Sequence, residues 1–451
     1  MTPEELLELG LGQGMAVAVA TRASSVNFRL ANNTLTTNGC EDSLGLGLIA
    51  LERGRVATQA ADVVDEGQVA PLAKAARERA MESPVAPDAM PLLRPGEAAA
   101  GQGAGADLGP AQPGDLEGVL EGIHQVLQRS RKEGLRCFGF GRSQVELECL
   151  GNSEGLRLQG GRRSAALALT LKTQDLGRSV WAGAMGIKMA ELDPVGMYQR
   201  LRQRLDWTER RLELPPGRYQ VILEPSATAD LVAWLYFEMQ ARGADEGRTV
   251  FSGPSGPRVG EAMYAPSVKL SSNPLDPSMA VAPFVRCLQS SEYSSVFDNG
   301  LAVPATTWVE GGTQQELMCP RRWAQDHSHP VRPDADNLEM AGSDTSLEEM
   351  IKDTERGLLV TSLWYIREVD PTRLLLTGLT RDGVFLIERG QVVGAVNNFR
   401  FNESPVGVLQ RLMQLGVAQL AYGREIGDYM FVKAPPIRVD GFFMSSVSDA
   451  V

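Results

Sequence analysis

Short runs in which apolar and polar residues alternate dominate the chain, and helical spacing appears between them. In the first unit, 1–83, SSVNFRLA (24–31) alternates like a half-buried strand, and SLGLGLIAL (43–51) continues as another strand after a turn. VAPLAKAARERAME (69–82) places alanine and leucine on one side and charged residues on the other, which predicts an amphipathic helix. The first unit therefore combines strands with helix.

The stretch 84–114 interrupts this pattern. It is rich in proline, glycine and alanine, and it contains few large apolar residues. Such a segment buries too little apolar surface to offset the conformational entropy that it would lose on ordering. We therefore predict a flexible linker between two folded units, or a long excursion of the chain.

A middle unit, 115–212, resembles the first unit in its order of elements. It starts with the amphipathic pattern DLEGVLEGIHQVLQRSRKEG, which Gly134 ends, and glycine-rich strand patterns with an asparagine-containing turn follow. Asp193 is a suitable cap, and Pro194 a suitable first residue, for a second charged helix. The order of these elements suggests a weak internal duplication of the first unit.

The last unit, 213–451, contains the best-defined elements. Ser346 and Glu349 form the pattern of a capping box, and a series of strand patterns joined by tight turns follows. Ser404 caps a last amphipathic helix that is predicted to reach Leu415. Consecutive strands joined by short turns pair antiparallel, so the predicted class is α+β. We expect two strand-rich N-terminal units with helices, then a C-terminal domain with a large, mainly antiparallel sheet.

Composition and charge limit the classes of partner. The 44 basic and 56 acidic residues give a formal charge of −12, which disfavours direct contact with nucleic acid or an anionic membrane. No apolar run approaches the ~20 residues of a membrane helix, and the acidic N-terminus does not resemble a signal peptide. The five scattered cysteines suit a reducing compartment. We expect a cytoplasmic protein without a nucleic-acid or membrane partner.

The chain contains one weak candidate for a metal site. His327 and His329 would face the same side of an extended segment, with Asp326 or Asp334 nearby. Zinc requires three or four ligands, and spacing identifies no further ones, so a surface loop is the preferred interpretation. No nucleotide-binding, calcium-binding or serine-hydrolase motif is complete.

The most apolar stretch of the chain is ATADLVAWLYFEMQARG, residues 227–243. Ser226 or Thr228 could cap it, and Gly243 could end it. Its composition predicts a helix that is buried in the core of the C-terminal domain.

Several longer stretches resemble one known family. LPPGRYQVILEPSATADLV, SSVFDNGLAVPATTWVEGG and the run from TSLWYIREVD to NNFRFNES are similar to the TldD/PmbA family. VNFRLANNTLTTNG and LECLGNSEGLRLQ match its repeated strand-turn elements. The resemblance thus extends over nearly the whole chain apart from the predicted linker, and its C-terminal block is the most specific part.

The resemblance implies cytoplasmic metallopeptidases that act on unfolded or small peptides, often as pairs of homologous subunits. In a TldD-type subunit, a helix in the position of 227–242 carries the zinc motif H-E-x-x-x-H, where zinc activates water. Here the corresponding helix has Trp234, Leu235, Tyr236 and Phe237, and it has no histidine. The chain therefore resembles the zinc-less PmbA/TldE-type subunit. No catalytic residue and no metal are expected in it, and zinc is expected in a TldD-type partner.

The resemblance favours one function and leaves alternatives open. The favoured one is a non-catalytic subunit that pairs with a TldD-type homologue in a peptide-cleaving heterodimer, so this chain is not expected to be catalytic by itself. One alternative is an autonomous metallopeptidase with unconventional ligands, which would use His327 and His329. Another is a regulatory binding protein of the gyrase-modulator type.

The sequence also suggests roles for three polar residues near the C-terminus and for one glutamate. Asn398, Arg400 and Asn402 alternate onto one face of a predicted strand, where they could hold a peptide backbone or line the contact between subunits. Glu238 lies within the apolar stretch 227–243, and without a metal-bound water it has nothing to activate. It is expected to be a rim carboxylate or a member of a salt bridge.

Overall fold

The computed structural model describes residues 1–63, 65–100, 103 and 105–448. An antiparallel sheet of six strands forms the N-terminal half, in the order β3-β2-β1-β4-β5-β6. Its strands are β1 (Val17–Ala31), β2 (Thr34–Glu52), β3 (Arg55–Asp62), β4 (Leu135–Asn152), β5 (Arg157–Thr173) and β6 (Ser179–Gly186). Since β1 pairs with β4 along nearly its whole length, the strands of the first and middle units share one sheet.

Four helices accompany this sheet: α1 (Pro3–Gly12), α2 (Val69–Glu82), α3 (Glu117–Lys132) and α4 (Pro194–Trp207). The first two share a buried core with β1 and β2, and the last two share another with β5. The predicted start of α4 is confirmed, because the Asp193 carboxylate accepts a hydrogen bond from the Gly196 N–H and Pro194 is the first helical residue.

The segment 84–114, for which a flexible linker is predicted, makes specific contacts with the N-terminal sheet and with a C-terminal loop. Asn152 Nδ2 donates to the Leu93 carbonyl at 2.8 Å, and the Leu93 side chain is buried. Ser295 Oγ donates to the Asp88 carboxylate at 2.7 Å. Apart from a 3-10 turn that begins at Pro113, the described residues of this segment form irregular chain that contacts both halves of the molecule.

A large sheet organises the C-terminal half. Its main path is β16-β17-β20-β24-β8-β15-β18-β19-β7, and β21 pairs with β24 beside that path. Its strands are β7 (Arg211–Leu212), β8 (Gly217–Leu223), β15 (Arg356–Val360), β16 (Leu363–Asp370), β17 (Leu375–Thr380), β18 (Val384–Glu388), β19 (Gln391–Val396), β20 (Asn398–Glu403), β21 (Leu412–Leu415) and β24 (Ile437–Ser448). The pairs β8–β15 and β7–β19 are parallel and the others are antiparallel, which confirms the predicted α+β class.

A second C-terminal sheet has the order β13-β12-β11-β14-β23-β22. Its strands are β11 (Leu270–Ser272), β12 (Thr306–Glu310), β13 (Thr313–Gln314), β14 (Asn337–Met340), β22 (Gln419–Gly423) and β23 (Gly427–Ala434), and a separate short hairpin consists of β9 (Ser252–Gly253) and β10 (Gly256–Pro257). The helices of this half are α5 (Pro225–Phe237), α6 (Ala241–Asp245), α7 (Arg321–His327), α8 (Leu347–Lys352) and α9 (Pro405–Gln410). No helix among the described residues is long and apolar enough to cross a membrane.

Two local predictions near the C-terminus had different outcomes. The capping box is confirmed, since Ser346 Oγ accepts the Glu349 N–H while the Glu349 carboxylate accepts the Ser346 N–H. The predicted extension of α9 to Leu415 is wrong. The helix ends at Gln410, and the next residues form β21, because their backbone groups pair with β24.

Candidate functional site

The helix α5 lies between the two C-terminal sheets and begins earlier than predicted. Its cap is the extended residue Glu224, and Pro225 is its first residue, so the predicted caps Ser226 and Thr228 are wrong. A proline at the first helical position has the required φ and lacks an N–H that would go unpaired there. The helix ends at Phe237, whereas the predicted end, Gly243, lies within α6.

One side of α5 is core, as predicted. Leu231, Leu235 and Tyr236 are at most 2% exposed, and they share a buried cluster with residues of both sheets, such as Val221 and Leu338. Burying a leucine of this kind contributes about 1.5–3 kcal/mol. The helix is thereby fixed to both sheets.

The other side of α5 borders a cleft of about 510 Å³. The helical residues that line it are spaced i, i+3, i+4 and i+7: Asp230, Ala233, Trp234 and Phe237. The opposite wall is Tyr293, Glu425, Ile426 and Tyr429. We call this space the aromatic cleft, since four of its eight residues are aromatic.

Asp230 holds one wall of the aromatic cleft in place. Its fully buried carboxylate accepts hydrogen bonds from the backbone N–H groups of Arg424, Glu425 and Ile426 at 3.0–3.1 Å. Burial raises the pKa of Asp230 to about 7, and the three N–H groups oppose this shift. Gly423 permits the close approach, because a Cβ there would lie 2.4 Å from Asp230 Oδ1.

A second cleft, of about 640 Å³, adjoins the end of α5. Tyr293 lines both clefts, and three carboxylates line this one: Glu238, Glu292 and Glu368. We call it the acidic cleft. Glu238 is a half-buried residue of its lining, and among the described residues it forms no ion pair.

Burial and the nearby carboxylates both disfavour negative charge in the acidic cleft. Burial, followed by the nearby Glu368 and Glu292 carboxylates, raises the pKa of Glu238 to about 7, while Arg248 lowers it. Arg248 is itself engaged, since its guanidinium pairs with Glu246 and, at 2.9 Å, with Glu292.

His327 and His329 do not lie in an extended segment as predicted. His327 is the last residue of α7, and the left-handed Ser328 reverses the chain before His329. The His327 ring stacks on Trp323 at 3.9 Å, and His329 Nε2 lies 2.8 Å from the Asp245 carboxylate. Among the described residues, no group of three or more His, Cys, Asp or Glu side chains is arranged to hold a metal ion.

Comparison with known proteins places this architecture in a family. The family model for the PmbA/TldA metallopeptidase C-terminal domain matches residues 216–446, which is more than half of the chain. The chain belongs to the PmbA/TldD family. No protein with a curated description matches it.

Solved structures share the PmbA/TldD fold of this chain from end to end. TldE from Thermococcus kodakarensis is 18% identical, with a TM-score of 0.79 over 98% of this chain and 99% of that one. A candidate modulator of DNA gyrase from Bacteroides thetaiotaomicron is 15% identical, with a TM-score of 0.78 over 99% of this chain and 98% of that one. Another, from Thermotoga maritima, is 15% identical, with a TM-score of 0.76 over 98% of each chain. At these identities the likeness establishes the fold alone.

Asn398, Arg400 and Asn402 lie together on β20 of the PmbA/TldD domain. Their side chains share its half-buried face, while Phe399 and Phe401 point into the core. Arg400 Nη1 donates to Thr377 Oγ1 at 3.3 Å, and Asn402 Oδ1 accepts from Ser445 Oγ at 3.4 Å. None of the three lines either cleft, and their role in peptide or subunit binding stays a prediction.

Sequence reasoning missed the residues that face α5 across the clefts. Tyr293 and Glu292 belong to irregular chain, Glu368 to an edge strand and Tyr429 to β23. They are brought to α5 by tertiary packing, and no local spacing links them. The sequence signal of this site is confined to α5, with its aromatic residues and its lack of histidine, and to Glu238 directly after it.

Proposed function

We propose that this chain is the non-catalytic subunit of a TldD/TldE-type zinc metallopeptidase complex that cleaves unfolded or small peptides. One observation carries the proposal. The side of α5 that borders the cleft bears Trp234 and Phe237, on the helix where the resemblance places the zinc motif of a TldD-type subunit. The only carboxylate on that side, Asp230, is occupied by three backbone N–H groups.

The residues present do not fit a zinc ion at this position. Zinc is held in proteins by three or four side-chain ligands of the His, Cys, Asp or Glu type. Indole and phenyl rings cannot replace them, and Asp230 could ligate a metal only by releasing the loop that it fixes. The catalytic metal of the complex is therefore assigned to a TldD-type partner, and this chain contributes a wall of the peptide-binding space.

Metal analysis of the purified protein tests the proposal. We expect the isolated chain to contain far less than one zinc per molecule and to leave an unstructured fluorogenic peptide intact. Co-expressed with the TldD-type protein of the same organism, it should purify as a complex that contains zinc and cleaves the peptide. Stoichiometric zinc together with hydrolysis by the isolated chain would refute the proposal.

A regulatory binding protein is the second candidate. Its support is that two solved structures with the same fold are described as candidate modulators of DNA gyrase. The acidic net charge argues only against direct contact with DNA, so gyrase itself would be the partner. Affinity purification that recovers gyrase subunits, and no TldD-type protein, would favour this candidate.

A further inference from the structure

The aromatic and acidic clefts form neighbouring parts of one surface along α5. Tyr293 lines both of them, and Phe237 and Glu238, which line one cleft each, are adjacent in the chain. A ligand that occupied both would meet aromatic rings first and carboxylates next. The polar residues of β20 do not line this surface.

The aromatic cleft offers unusually accessible rings. The Tyr429 side chain is 68% exposed although it is large and partly apolar. Its ring and the Phe237 ring form an edge-to-face pair with a centroid distance of 6.3 Å, and Trp234 is only partly buried. Aromatic faces of this kind bind both aliphatic chains and cations.

The acidic cleft has negative charge that its own residues do not neutralise. Of the described residues that line it, Arg248 alone is basic, and this guanidinium is paired with Glu246 and Glu292. Among the described residues, Glu238 and Glu368 form no ion pair. A positive group from another molecule would provide the missing partner.

We propose that the two clefts together bind a cationic, partly apolar peptide segment. Its apolar side chains and the aliphatic stem of a lysine or arginine would lie on Trp234, Phe237 and Tyr429, and the charged end would reach Glu238 and Glu368. The net charge of −12 attracts such a peptide and disfavours a second copy of this chain as the occupant. This inference rests on the proposed function, because it specifies the class of peptide that the complex handles.

Binding to the isolated full-length chain tests the inference directly. The probe is a dye-labelled, unstructured peptide in which lysine and leucine are separated by glycine, compared by fluorescence anisotropy with versions in which glutamine or glutamate replaces every lysine. We expect the lysine peptide to bind at least tenfold more tightly than the glutamine version. Absence of binding, or equal binding of the two peptides, would overturn the inference.

Matched variants locate the binding surface. Glu238→Gln keeps the shape and removes the charge, and it should weaken binding of the lysine peptide about five- to tenfold. Tyr429→Ala should weaken it several-fold, whereas Tyr429→Phe should bind normally because the ring is the contact. Glu121→Gln, at an exposed position of α3, is the control. Unchanged affinity in both Glu238→Gln and Tyr429→Ala would contradict the assignment, provided that their thermal unfolding matches the wild type.

The affinity of the lysine peptide should also depend on pH. Burial, followed by Glu368 and Glu292, raises the pKa of Glu238 to about 7, and Arg248 opposes this shift. The Glu238 carboxyl is therefore mostly protonated at about pH 6 and mostly ionised at about pH 8. Lysine stays charged throughout, so binding should tighten up to about tenfold over this range. The Glu238→Gln variant should lose most of this dependence. An identical pH profile in both proteins would exclude Glu238 as the group responsible.

These measurements separate this inference from the proposed function. If the isolated chain does not bind the lysine peptide but the complex contains zinc and is active, only the inference about cationic peptides is refuted. If the chain binds the lysine peptide but no zinc-containing complex with a TldD-type protein forms, only the proposed function is refuted.

Discussion

Replacing Arg204 with alanine is expected to lower the free energy of unfolding by about 3–5 kcal/mol. Arg204 Nη2 donates hydrogen bonds to both carboxylate oxygens of Glu224, each at 2.7 Å, and both side chains are only 10% exposed. The pair joins α4 to the residue that caps α5. Without the guanidinium, Glu224 would keep a buried charge that burial already disfavours, since it raises the pKa of this carboxyl. Urea denaturation followed by tryptophan fluorescence measures the loss.

Two controls separate the buried charge from general damage. Joint replacement, Arg204→Met with Glu224→Leu, removes both charges and should recover most of the stability, because packed apolar groups can substitute for a buried ion pair. Lys74→Ala removes the exposed i,i+4 pair with Glu78 and should change stability by less than about 0.5 kcal/mol. A loss below about 1 kcal/mol in Arg204→Ala would mean that water already solvates the pair.

Local chemistry explains which parts of the fold were predictable. Asp193 before Pro194, and Ser346 three residues before Glu349, identify helix starts because the bonds that they make span only a few residues. The end of α9 was not predictable in this way. Whether the residues after Gln410 continue a helix or form a strand depends on β24, which is distant in the sequence.

The candidate site was predictable only in part for the same reason. The apolar composition of α5 indicates burial, and its lack of histidine indicates a zinc-less subunit under the resemblance. Which side of α5 stays open depends on Tyr293 and Tyr429, which no spacing rule connects to it. Likewise, Asp230 looks like an isolated polar residue in the sequence, and only the fold reveals that it holds a loop.

Replacing Asp230 with alanine should be the second strongly destabilising change, by about 3–5 kcal/mol. Three buried or half-buried backbone N–H groups would lose their acceptor, and each unsatisfied donor costs about 1–3 kcal/mol before water enters. Chemical denaturation measures the total loss. Hydrogen exchange should in addition show faster exchange at Arg424, Glu425 and Ile426. Asp206→Ala, at an exposed helical position, is the matched control.

Two further variants distinguish the lost hydrogen bonds from the lost charge. Asp230→Asn keeps one acceptor oxygen for Glu425 and Ile426, so it should cost less than the alanine variant. Gly423→Ala leaves Asp230 intact but places a Cβ 2.4 Å from its Oδ1, so it should also free the loop 424–426. Since Glu425 and Ile426 form a wall of the aromatic cleft, both Asp230→Ala and Gly423→Ala should weaken binding of the lysine peptide. Normal protection of these three amides in Asp230→Ala would show that the carboxylate does not hold the loop.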